Sequence, residues 1–288
     1  MKKLILIILL TFAAGAVFAE SSVWKISRDN NVLYLGGTVH ILRAEDYPLP
    51  QEFDFAYNES DTVIFETDIG KMDDPDVAQK ILTDGMYRDG RSLKTVLKPS
   101  VYHQLKEVLE EFLVPIDSVK YFKPGMIAST LTALSFQTTD AFSEGVDAYF
   151  YSKAIDDQKN INFLETVDQQ IDLVVNMGIG NENEFILYSI QDLEGSGENL
   201  ALLIDEWRTG SHEVMEETIA ELKEEFERTY QSLVSDRNEL WMKKILKYLQ
   251  NDEIEFLLFG TLHLHGQDGI LGRLIDAGFI VEQVILAQ

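Results

Sequence analysis

The chain has 288 residues, with 24 basic against 49 acidic side chains, a formal net charge of −25 and no cysteine. A charge of that sign disfavours nucleic acid and anionic membrane surfaces, both of which reward basic patches. Without cysteine there is neither a disulfide framework nor a thiolate metal site, so any bound metal must rest on His, Asp and Glu.

The first residues, MKKLILIILLTFAAGAVFAE, place two lysines before an apolar run and then Val17-Phe18-Ala19. That is the layout of a secretory signal peptide cleaved after Ala19, with an apolar run short of the roughly 20 residues a membrane span needs. The expectation is a bacterial periplasmic or secreted protein of residues 20–288, folded as one α/β domain and not inserted in a membrane after cleavage.

VWKIS and VLYLGG are alternating apolar runs separated by RDNN, a hairpin signal. TVIFETDI (62–69) reads as a buried strand. A helical middle follows: PDVAQKILTDG, KPSVYHQLKEVLEEFLV, KPGMIASTLTALSFQ and EGVDAYFYSKAIDDQ carry helical spacing or helix boundary signals. INFLET (161–166) returns to strand, and VDQQIDLVVNM and ENEFILYSIQDLE are helical again. From Ser211 to about Gln250 the chain is charged and helical, with a break expected near Ser235-Asp236; EVMEETIAELKEEFERTY reads as an amphipathic helix with a solvated face. IEFLLFG, GILGRLIDAG and FIVEQVIL close the chain as strand, short helix and strand. Strands cluster at both ends and helices fill the middle, so both ends are expected to build one mixed sheet region.

Two strands end alike, on Gly37-Thr38-Val39-His40 and on Gly260-Thr261-Leu262-His263, a repetition compatible with an internal duplication. Ligand crevices of α/β proteins lie outside strand ends, and glycine there lets backbone approach a ligand closely. If both strand ends open on one cleft, two imidazoles meet there, the start of a metal site or an acid/base pair. Of five histidines, His103 and His212 sit among charges and are expected at the surface, while His265, two residues past His263, is either a further ligand or a loop residue. Glu66 closes an apolar strand, with Asp68 on its face. It is placed to ligate metal, to act as general base toward a metal-bound water, or to pair with an arginine for structure. Arg237, followed by Asn238, is placed either to clamp a substrate oxyanion or to cap a helix.

These pieces in this order resemble the TraB/GumN family of bacterial proteins, whose animal relatives include the Tiki metalloproteases. The resemblance rests on Gly37-Thr38-Val39-His40, Glu66, Gly145-Val146-Asp147, Leu164-Glu165-Thr166 with Gln169 or Gln170, Arg237-Asn238, and the run from Gly260 to Ile270. It implies a metal-dependent peptidase in which a divalent metal, manganese or cobalt ahead of zinc, is held by His40, His263 and Glu66. Arg237 joins those three as a catalytic residue, and Asp147 and Glu165 stand where the family has carboxylates. The expected partner is a peptide or small-molecule substrate. A non-catalytic protein binding haem or another small ligand is the rival reading, and an accessory protein of the cell envelope a third. No HExxH helix is present, so the common zinc-peptidase signature is missing.

Overall fold

A computed structural model describes residues 21–72, 74–137 and 142–286, without the side chains of 136, 137, 142 and 194–199. The leader expected over residues 1–19 lies outside these residues. Eight strands are formed: β1 (Val23–Arg28), β2 (Asn31–Thr38), β3 (Ile41–Arg43), β4 (Thr62–Phe65), β5 (Phe142–Glu144), β6 (Asn160–Phe163), β7 (Glu255–Gly260) and β8 (Ile280–Gln283).

Six of them make one mixed sheet in the order β6-β4-β7-β2-β1-β8. β6, β4, β7 and β2 run parallel, whereas β1 is antiparallel to both β2 and β8. Both chain ends therefore build the sheet, as the sequence leads one to expect. Strand β7 enters its middle, between β2 and β4.

The side-chain period of two explains why both faces are covered. In β7, Phe256 and Leu258 join one core cluster and Leu257 and Phe259 the other; in β4, Val63 and Phe65 divide from Ile64 in the same way. On one face the sheet packs against helices Gln51–Glu59 and Val146–Asp156 and the end of Glu182–Thr209, through Phe53, Tyr57, Phe150 and Trp207. On the other face lie helices Asp236–Tyr248 and Ile270–Asp276, through Trp241, Ile245, Ile270 and Leu274. Continuous apolar strands are what a parallel sheet sandwiched between helices requires. The helical middle has its own core, in which Leu105, Leu109, Ile127, Leu131 and Ile186 are buried.

The glycine pair ending β2 is a packing requirement. A Cβ on Gly36 would stand 2.8 Å from Leu258 and Phe256, and one on Gly37 only 2.5 Å from the Thr261 methyl. The two strand-Gly-Thr-x-His stretches lie side by side, yet they are not equivalent. Gly37 pairs with Phe259 and Thr38 with Gly260, so the motifs are offset by one residue. Beyond the threonines they diverge. The first returns as strand β3, paired with β5, while the second coils into a 3-10 turn at Thr261–His263.

Two other expectations are corrected. TVIFETDI forms a strand only as far as Phe65, leaving Glu66 just past its end. No break separates the late helices at Ser235-Asp236: a π-helical turn, Gln231–Ser235, runs straight into the helix Asp236–Tyr248. The pairing of β3 with β5 had no signal in the sequence. Helix Glu213–Glu225 is amphipathic as expected, burying Met215, Ile219 and Leu222. No described helix is long and apolar enough to cross a membrane.

Candidate functional site

The four parallel strands end together at Thr38, Phe65, Phe163 and Gly260. The residues just beyond those ends are His40, Glu66, Glu165 and the turn carrying His263, so one edge of the sheet collects all of them. This is the edge at which open α/β sheets bind ligands.

Glu66 is fixed at both carboxylate oxygens. Oε1 accepts the Gly260 N–H at 2.8 Å, and Oε2 accepts Arg237 Nη2 at 2.5 Å and Gln170 Nε2 at 3.3 Å. Burial alone would push its pKa up. Arg237 above all, then the two histidines and the Gly260 N–H, overcome that and bring it down to about 2. Arg237 is the larger of these influences, and His263 carries no charge at neutral pH: burial takes its pKa down to about 3, against the pull of Glu66.

Arg237 is the hub of the site. Its Nε donates to Glu165 Oε1 at 2.7 Å and its Nη2 to Glu165 Oε2 at 3.2 Å, besides Glu66. Its Nη1 donates to His263 Nε2 at 3.1 Å, and the guanidinium lies 4.5 Å over the Trp241 ring. The π-helical turn one residue upstream re-phases the helix, and such turns recur where a side chain must be re-aimed. Arg237 lies inside a continuous helical run, not at a helix end, and its Nη1 also reaches the Leu233 carbonyl at 3.4 Å. Trp241, one helical turn on, supports the same cluster by donating its indole N–H to Glu165 Oε1 at 2.8 Å.

Asn238 decides the tautomer of His263. Its amide nitrogen donates to the carbonyls of His263 and Asp268 at 3.1 and 2.9 Å, so its Oδ1 is the end facing His263 Nδ1 at 2.7 Å. Nδ1 must then carry the proton, and Nε2 keeps a lone pair. His40 is held similarly, its Nδ1 lying 3.1 Å from Asp147 Oδ2. The Asp147 hydrogen bond raises its pKa to about 9 against the opposing effect of burial. The ring is crowded by protein, yet 65% of its side-chain surface remains open to solvent. Gly145 makes this pairing feasible: a Cβ there would lie 2.3 Å from the His40 backbone carbonyl.

A small cavity of about 180 Å³ adjoins His40, Glu66, Thr38, Thr67 and Asp147. Thr38 Oγ1, Thr67 Oγ1 and Asp147 Oδ1 are buried there without a hydrogen-bond partner. A family model describing the TraB/PrgY/gumN family matches residues 22–283, nearly the whole length. The chain belongs to the TraB/PrgY/gumN family. Comparison with curated proteins and with solved structures gives no match.

Most positions by which the sequence resembles this family stand at the crevice or support it; Gln169 and His265 do not. His40, Glu66, Arg237 and His263 are brought together, with Glu165, Asp147 and Gln170 as their partners. Gln169 instead caps its own helix, accepting the Thr166 N–H. His265 is turned elsewhere: its ring contacts are Trp24, edge-on at 5.4 Å, and His212, stacked at 5.0 Å. The coiled turn after Gly260 removes the extended geometry that would have put it on one face with His263. Asp68 accepts Tyr151 and pairs with Lys71. Trp241 went unread in the sequence, although its spacing from Arg237 was available as a signal.

Among the described residues, no three His, Asp or Glu side chains stand closely enough to close on a metal as placed. The guanidinium stands between Glu66 and His263, on two of the three expected donors. In kind, however, the donors fit. Each imidazole has its Nδ1 engaged by a side-chain oxygen, the arrangement by which proteins prepare Nε2 for a metal, and Glu66 stays ionised at any pH of interest.

Proposed function

We propose that this TraB/PrgY/gumN protein is a metal-dependent hydrolase acting on amide bonds of peptides, in an exported setting. The observation that carries the reading is the matched preparation of two histidines, by Asp147 and by Asn238, at neighbouring strand ends beside an ionised Glu66 at the end of the next strand. His40, His263 and Glu66 would hold a divalent cation, manganese or cobalt before zinc, whose chemistry is to lower the pKa of water and polarise a carbonyl.

The chain's own residues do the rest. Glu66, ionised and held by the Gly260 N–H, can take a proton from an attacking water. Arg237 carries a fixed positive charge at the crevice and can stabilise negative charge developing on a carbonyl oxygen. Glu165 holds the guanidinium by hydrogen bonds, and Trp241 lies against its face while donating its indole N–H to Glu165. Arg237 already donates to both Glu66 and His263, so a bound ion would have to share those donors with the guanidinium.

Metal binding tests the reading directly. The protein is stripped with chelator and titrated with Mn²⁺, Co²⁺ and Zn²⁺ by calorimetry, alongside a His40→Ala/His263→Ala double variant. Binding of one ion per chain that the double variant loses supports the proposal, and a peptide-library screen then follows. Absence of binding by the wild type sinks it, and a Soret band on adding haem would then favour a binding protein.

A further inference from the structure

Beside the crevice lies a second, larger cavity of about 500 Å³, walled by Ala128, Ala133, Phe185, Leu222, Leu233 and Leu262 among others. It is tied to the site at two points. Leu262 immediately precedes His263, and the Leu233 carbonyl accepts Arg237 Nη1 at 3.4 Å. The groove thus ends against the backbone that carries two of the site residues.

Its lining is more apolar than its composition suggests. Ser129, Thr132, Ser189 and Thr218 all line it, yet each hydroxyl is already spent on the carbonyl four residues back in its own helix, at 2.8 to 3.0 Å. Hydroxyls bonded in this way offer little to a ligand, and what remains toward the groove is methyl and methylene surface. Such a lining recognises an apolar group, because removing its surface from water is the main gain available.

One lining residue does not fit an apolar occupant alone. Asp192 sits at the rim and takes part in no ion pair or hydrogen bond among the described residues. Its carboxyl is raised by partial burial, with no cation acting against it. Glu221 adds further negative potential nearby, acting with Asp192 on the Tyr188 hydroxyl. Still exposed and unpaired beside an apolar lining, that carboxylate offers a ligand cation a partner. Charge complementarity therefore selects an occupant that is apolar along its body and basic at one end.

We infer that the groove binds a peptide segment in which apolar side chains are followed by a lysine or arginine, the apolar residues lying between the helices and the base meeting Asp192. This deepens the hydrolase reading by naming its substrate class, and it rests on that reading for the claim that the bound segment is cut. Whole-protein charge acts in the same direction, since a net −25 draws basic peptides toward the surface.

The test separates binding from cutting. Two capped pentapeptides, Ac-ALFKA-NH2 and Ac-ALFQA-NH2, are titrated by calorimetry into the His40→Ala variant, whose changed residue does not line the groove. The lysine peptide should bind about fivefold more tightly at low ionic strength, an advantage that salt reduces. Asp192→Asn should erase that advantage while leaving the glutamine peptide unaffected. Ala133→Trp, at an exposed helical position that tolerates bulk, should weaken both peptides at least tenfold by filling the groove. Equal binding of the two peptides, indifference to either substitution, or no binding at all overturns the inference. If the peptides bind as expected and the wild type never cleaves them, the groove stands and the hydrolase reading falls.

Discussion

Replacing Arg237 by methionine removes the charge at the hub while keeping most of the stem. Arg237, Glu66 and Glu165 keep only 11%, 15% and 8% of their side-chain surface, so the substitution leaves two carboxylates side by side with no cation between them. Breaking such a buried pair costs about 3–5 kcal/mol. Linkage gives a second figure. Glu66 has a folded pKa of about 2 against an ordinary 4.5, a gap worth about 3 kcal/mol at 1.36 kcal/mol per pH unit. Because the folded value is the lower one, this stability is fully present above pH 4.5 and is lost as pH falls from 4.5 toward 2. In the variant Glu66 loses the cation that lowers its pKa, and protonating it relieves the repulsion from Glu165. Arg237→Met should therefore be destabilised by about 3 kcal/mol at pH 8, and by distinctly less at pH 5, where the wild type keeps its advantage but the variant no longer holds two charges. Urea denaturation of both proteins in chelator at the two pH values measures this. A loss under about 1 kcal/mol at pH 8, or an equal loss at both, would refute the account of Arg237 as the cation that keeps Glu66 ionised.

The same geometry yields further expectations. Gly145→Ala should lower stability by about 2–4 kcal/mol and disturb His40, because its Cβ would stand 2.3 Å from the His40 carbonyl; thermal unfolding together with the His40 ring signals in NMR checks both effects. Asn238→Ala should free the His263 tautomer and weaken metal affinity about 10- to 100-fold, as read by calorimetry, with loss of the protected Nδ1–H resonance. His265, whose pKa is lowered to about 4 by burial and by His212, should titrate near pH 4 in an NMR series. A midpoint near 6.5 would mean that its stacked position against His212 and Trp24 is not kept in solution.

Much of the site could be read from the sequence because its residues break local rules. Glycines end apolar strands, a glutamate closes a β-branched run, and an Arg-Asn pair stands in a late helix of a strongly acidic chain; His40, Glu66, Arg237 and His263 were all singled out that way. What stayed hidden is long-range. The one-residue offset between the two Gly-Thr-x-His stretches depends on strand register, and the coil after Gly260 on what surrounds it. The bridging of Glu66 and Glu165 by Arg237 joins residues 171 and 72 positions apart. Likewise, the identity of the glutamine that reaches the site, Gln170 rather than Gln169, depends on helix phase after the Thr166 cap. The alternation of strands and helices disclosed the fold class, whereas the order of strands within the sheet left no trace in local pattern.

The position of β7 governs the order in which this molecule can be assembled. A strand made late in the chain, the last but one, lies inside the sheet, so until residues 255–260 arrive, β2 and β4 present open edges with a gap one strand wide between them. Filling that gap closes loops of roughly two hundred residues, which is slow in proportion to its entropy. The same strand delivers the Gly260 N–H to Glu66 and brings His263 within reach of Arg237. Completing the sheet and completing the crevice are thus a single event, and a chain stopped short of it holds His40 and Glu66 with nothing to join them.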